Sequence, residues 1–134
     1  RDTMWHAGCK ESFLMWPTRE MVDVLGSEFS AWHSNQRLKY KVHLYIIRKH
    51  SDLGMEKDSS EPLKQLYKTE GWTKYHSVRT APKNIKWDMS YWIYDDKCLF
   101  ASGGTEKFAL IVHSREFAET MKTLWRQMWN VSKA

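Results

Sequence analysis

From Trp87 onward the chain alternates short β-rich runs with compact turn signals, and then changes period. Trp87–Tyr94 (WDMSYWIY) is rich in aromatic and β-forming residues, which fit a pleated, half-buried surface. Asp95-Asp96-Lys97 makes a tight turn into a strand at Cys98–Ala101, and Ser102-Gly103-Gly104 makes a second turn before the apolar strand Phe108–His113. Connections this short cannot cross a sheet, so these strands must pair as antiparallel hairpins. The period then becomes helical. Ser114 is positioned to cap a helix with Glu116 in its first turn. Phe117, Met121, Leu124 and Met128 form its expected buried face, with Trp125 and Trp129 alongside.

The first half reads differently. Residues 1–10 carry no clear signal. Glu11–Trp16 (ESFLMW) is an apolar run stopped by Pro17, which predicts a buried strand. Thr18 is a candidate cap for a helix reaching about Gln36, whose apolar face would hold Met21, Leu25, Phe29 and Trp32, with Gly26 inside it. Residues 41–48 (KVHLYIIR) predict a second strand. Residues 50–60 read as a loop. Ser60-Glu61-Pro62 starts a short helix to about Glu70, closed by Gly71, and Trp72–Val78 predicts a further strand. Strand–helix alternation early in the chain argues for crossovers and parallel pairing. The expected fold is therefore α/β, a mixed β-sheet flanked by helices. At 134 residues the chain fits a single domain spanning 1–134.

Composition narrows the function classes. Hydrophobic residues make up 42 % and charged residues 28 %, the balance of a globular domain. The net charge of +5 is spread along the chain, so it provides general attraction for anions and no basic arm. No run of 18 apolar residues and no signal peptide is visible. The two cysteines, Cys9 and Cys98, do not form a disulfide framework and read as reduced thiols, which predicts a cytoplasmic location. His6 and Cys9 have one H-x2-C spacing that Cys98 and His113 could join in space. A structural zinc site needs two tight pairs, so no metal and no other cofactor is expected.

The segment from Trp87 to Trp129 resembles the phospholipase-D family in its order of elements: a motif strand, a turn after an Asp, a Gly/Ser-rich turn, an apolar strand and an aromatic-rich helix. That family carries H-x-K-x4-D. Aligning its Asp with Asp95 puts Asp88 where the nucleophilic His stands and Ser90 where the Lys stands, so the chain reads D-x-S-x4-D. A His nucleophile would form a covalent phospho-enzyme, and a Lys would support charge on the phosphoryl oxygens. An anion and a hydroxyl at those positions do neither, so the resemblance implies a phospholipase-D-like half-domain without catalysis and with no catalytic residues. The degenerate domain is also similar to the C-terminal effector domain of TrmB-type transcription regulators, including the Tyr91–Lys97 turn segment. That resemblance implies ligand sensing, dimer contacts and DNA binding through an N-terminal winged helix-turn-helix. The chain opens on Arg1, which fits a C-terminal piece of such a protein.

The candidate ligand-binding residues follow from the alternation of the motif strand. Asp88, Ser90, Trp92 and Tyr94 share one face, and Met89, Tyr91 and Ile93 join Trp87 on the other. Aromatic faces beside a few hydrogen-bonding groups suit a polar organic effector, a sugar or another polar metabolite. A solvated sheet face explains the same pattern equally well. His76 and Arg79 lie upstream, where they reach the same cleft or sit in a loop. Asp88, Asp95 and Asp96 could together suggest a divalent ion, but Asp95-Asp96 is better read as shaping the turn. Two rival functions stand beside the regulator reading. One is a phosphodiesterase or nuclease with atypical residues. The other is a pure interaction module using the aromatic helix at 115–130.

Overall fold

The computed structural model describes residues 8–16, 27–52, 75–103 and 106–134. These form six strands and two long helices: β1 (Glu11–Trp16), α1 (Ser27–Lys39), β2 (His43–Arg48), β3 (His76–Thr80), β4 (Met89–Tyr94), β5 (Lys97–Gly103), β6 (Lys107–His113) and α2 (Arg115–Val131). The strands make one sheet in the order β3-β2-β1-β4-β5-β6. The fold class is the expected one, a mixed sheet with helices packed on it.

Parallel and antiparallel pairing divide the sheet at β1. β1 runs parallel to β2, with Leu14 beside Ile46, and β2 runs parallel to β3, with Leu44 beside His76. On its other side β1 pairs antiparallel with β4, setting Leu14 beside Trp92. β4, β5 and β6 continue as antiparallel hairpins, as their short connections require. The first strand in sequence is thus central in space.

Side chains alternate across the sheet and build two separate cores. Leu14, Val42, Leu44, Trp92 and Tyr94 form one, joined by Cys9, Tyr40, Ile46 and Leu99. Ile47, Tyr91, Ile93 and Cys98 form the other with Ala118 and Trp125 of α2. Helix α1 belongs to the first face, where His33 meets Trp92, and α2 covers the second.

The helix boundaries show which local signals decide. Ser114 caps α2 from an extended conformation, its Oγ accepting the Phe117 N–H at 3.2 Å. The C-terminal end of α1 is closed by a Schellman arrangement without glycine. The Val42 N–H reaches the Arg37 carbonyl at 3.0 Å, the Lys41 N–H reaches that of Leu38 at 3.2 Å, and Lys41 takes φ 56°.

Several expected details shift. β3 occupies His76–Thr80 where a strand over 72–78 was expected, and residues 72–74 lie outside the described residues. The predicted helix at 61–70, the start of the first helix from Thr18 to Gly26, and the Met21, Leu25 and Phe29 side chains also lie outside them. Within α1, Trp32 is exposed while His33 and Arg37 turn inward. In α2 the buried line is Ala118, Met121, Trp125 and Met128, and Phe117 and Leu124 are exposed. The cause is Trp125, whose indole N–H donates to the Leu14 carbonyl at 2.9 Å. That anchor rotates α2 by about half a residue, roughly 50°, from the face that apolarity alone selects, so that Met121 and Met128 stay inward while Ala118 and Trp125 replace Phe117 and Leu124. Trp125 and its stacked neighbour Trp129, 5.1 Å away, therefore belong to the core.

A candidate ligand site beneath the first helix

The C-terminal turn of α1 delivers a buried cation onto the sheet. Arg37 is fully buried, and its Nη1 donates to the Tyr75 carbonyl at 2.6 Å. The same carbonyl accepts the Leu44 N–H at 2.9 Å, so one acceptor ties α1 to the start of both parallel strands. One helical turn earlier, His33 stands edge-on to Trp92 with ring centroids 4.9 Å apart and planes at 73°. Trp92 in turn meets Tyr94 edge-on at 6.1 Å. Helix α1 thus crosses the sheet from β4, under His33, toward β3, under Arg37.

Burial sets the charge states here. It pulls His33 down to about 4, helped by the Arg37 charge. It pulls His76 down to about 3, with Arg37, His43 and Arg48 adding to the effect. Arg37 itself falls to about 10 through burial and stays charged near neutrality. Both imidazoles are neutral at pH 7, so each offers one donor and one acceptor nitrogen. Two hydroxyls add to this face. Ser12 and Ser90 are fully buried, and neither Oγ has a hydrogen-bond partner among the described residues. Clustered, strongly shifted ionisable groups beside aromatic rings are a common mark of functional sites.

The six residues singled out from sequence separate into three groups. Ser90, Trp92 and Tyr94 point to the α1 face and are buried there, so this face is neither solvated nor wide open. His76 shares the face through its pairing with Leu44, but β2 and β1 stand between β3 and β4, a separation of roughly 14 Å. α1 spans that gap. Asp88 is exposed just before β4, and Asp95 follows its other end, so the two acids of D-x-S-x4-D lie roughly 23 Å apart and do not converge. Arg79 lies on the opposite face. It donates to the Trp129 carbonyl at 2.9 Å and sits 4.4 Å from that ring, clamping the last turn of α2.

Sequence reasoning missed His33 and Arg37. Their four-residue spacing on a helix was the available signal, but a search for an apolar face passes over polar residues that turn inward.

The acidic turn is explained by local partners. Asp95 adopts φ 53° between the paired residues Tyr94 and Lys97. Asp96 takes Lys97 Nζ at 3.2 Å and His113 Nε2 at 3.0 Å, and these bonds, Lys97 first, hold its carboxyl below the usual range. Cys9 and Cys98 are free thiols. Among the described residues no cluster of three or more His, Cys, Asp and Glu could hold a metal ion, and His6 lies outside them. No helix among the described residues is long and apolar enough to cross a membrane.

No family model matches the chain, and no curated protein matches it. Among solved structures the fold is similar to that of TrmBL2, described as an archaeal chromatin protein whose structure shows a novel mode of DNA binding. The TM-score is 0.63 at 14 % identity, covering 99 % of this chain and 46 % of that one. The likeness is one of fold, and the chain spans less than half the length of that protein.

Proposed function

We propose that this chain is a non-catalytic ligand-sensing and dimerisation domain of a TrmB-like transcription regulator. The observation that carries the reading is the polar and aromatic lining beneath α1: neutral His33 and His76, charged Arg37, buried Ser90, and the rings of Trp92 and Tyr94. Aromatic faces with a few fixed hydrogen-bonding groups suit a polar organic metabolite such as a sugar. The fold likeness to a chromatin protein supports a DNA-associated role, which this chain would serve through a DNA-binding module elsewhere in the protein. Asp88 and Ser90 at the two key motif positions support a domain without phosphodiester chemistry, since one is an exposed acid and the other a buried hydroxyl.

The ligand would sit against α1 and bias how that helix lies on the sheet. A ligand changes a conformational equilibrium only by its differential affinity for the two states. α1 is a suitable coupling element, because its C-terminal turn reaches the start of both parallel strands through the Tyr75 carbonyl. The test is a thermal-shift screen with sugars, nucleotides and polar metabolites, run beside phosphodiester and DNA cleavage assays. Stabilisation by a metabolite that the His33→Gln variant loses, with no cleavage, supports the reading. Cleavage that depends on Asp88 or His76 overturns it in favour of an enzyme.

A further inference from the structure

β6 is an edge strand whose run from Phe108 to Val112 carries no charge. Edges are usually blunted by charged residues, proline or a bulge, because their unpaired backbone groups recruit another strand. Here Phe108 is 43 %, Leu110 54 % and Ile111 57 % exposed. Pairing with β5 sets Phe108 beside Ser102 and Leu110 beside Phe100, on the α2 side, and Ile111 beside Leu99, on the α1 side. The exposed apolar surface therefore lies on both faces of one strand. A covering helix would shield one face, whereas another strand edge would extend both.

We propose that β6 pairs antiparallel with β6 of a second copy about a two-fold axis at Leu110, joining two sheets into one. The proposal rests on the dimerisation part of the reading above and names its surface. The register follows from the residues. Centred on Leu110, Phe108 faces the second copy's Val112, Ala109 faces its Ile111, and Lys107 faces its His113, so each side of the strand meets its own kind. The charges match as well. His113 holds Asp96 at 3.0 Å, so Lys107 of each copy arrives beside an acid–imidazole pair of the other. Exposed Glu106 comes beside Ser114 and Arg115 of the second copy. Other registers are worse. Centring on Ile111 sets Lys107 against Arg115, a like-charge contact. Centring on Ala109 sets Lys107 against Ile111. A slip of one residue continues the α2 face of one copy into the α1 face of the other. The two-fold contact is isologous and closes at a dimer.

The experiment is light scattering coupled to size exclusion, on the wild-type chain and on Leu110→Lys, followed by oxidative crosslinking of Leu110→Cys in a Cys9→Ser background. The expected results are a wild-type mass twice that of the chain, a monomeric Leu110→Lys that keeps the wild-type circular dichroism spectrum and loses the concentration dependence of the melting temperature, and a covalent dimer through Cys at 110, since only facing residues meet disulfide geometry. As a register control, Ala109→Cys and Ile111→Cys should crosslink when mixed and not separately. A wild-type dimer that survives Leu110→Lys and gives no crosslink overturns the β6 surface and leaves dimerisation standing. A wild-type monomer at high micromolar concentration overturns both.

Discussion

The imidazole of His33 stands edge-on to Trp92 at 4.9 Å, in a place where burial and the nearby Arg37 charge keep it neutral. A ring held this way resists protonation. With His33 at about 4 and His76 at about 3, against an unfolded value of 6.5, the unfolded chain binds more protons below pH 6.5. Stability therefore falls as pH drops from 6.5 toward 4, and this contribution levels off below about 3. The loss is on the order of 3 kcal/mol per histidine by pH 4. Urea midpoints measured from pH 7.5 to 4 should show the decline, and a His33→Gln, His76→Gln variant should show a flatter profile. Equal slopes for both proteins would contradict this assignment of the acid sensitivity.

Trp125 joins the last helix to the central strand, its N–H donating to the Leu14 carbonyl in a buried setting. Trp125→Ala removes a core indole and should cost about 3–5 kcal/mol. Trp125→Phe keeps most of the apolar contact and loses the hydrogen bond, for a cost of about 1–2 kcal/mol. Thermal unfolding followed by circular dichroism would rank the three proteins, and a harmless Trp125→Phe would show that packing alone fixes the rotation of α2.

Lys41 occupies the left-handed region at φ 56°, where glycine fits without steric cost. Lys41→Gly should stabilise the chain by up to about 1 kcal/mol, a rise of about 3–5 °C in melting temperature. The change also tests the closure of α1, because a fall would mean that the Lys41 side chain contributes more than its backbone costs.

Arg79 is expected to act on α2 and not on a ligand. Arg79→Met removes the bond to the Trp129 carbonyl and the cation over its ring, at a cost of about 1–2 kcal/mol. Arg79→Lys should recover only part of this, since a point charge cannot stack and donate in the same geometry. The denaturant midpoint should move while the slope stays constant. A change in metabolite affinity without a change in stability would instead return Arg79 to the ligand site.

Local signals in the sequence transferred well to the structure. The Asp95-Asp96 turn, the three hairpin strands and the Ser114 cap each depend on residues a few positions apart, and each lies where the sequence places it, within a residue or two. The central position of β1 was not legible, because pairing Glu11–Trp16 with both His43–Arg48 and Met89–Tyr94 is decided by contacts distant in sequence. Alternation correctly put Ser90, Trp92 and Tyr94 on one face. It could not show that His33 would cover Trp92 while Arg37 is buried toward β3 on the same helix, since inward-turning polar residues break the apolar rule used to orient a helix. The strand reading of Trp87–Tyr94 already implied that Asp88 and Asp95 stand near opposite ends of one strand, and the motif alignment alone did not use that separation.

The most direct test of the account is hydrogen exchange, read by mass spectrometry, with and without a metabolite from the thermal-shift screen. A ligand bound beneath α1 should slow exchange in the segments 33–44 and 75–78, with smaller changes at 90–94 and none in the β6 edge. Protection confined to β6 or α2, or a stabilising metabolite that leaves the α1 segment unchanged, would contradict a ligand site beneath the first helix.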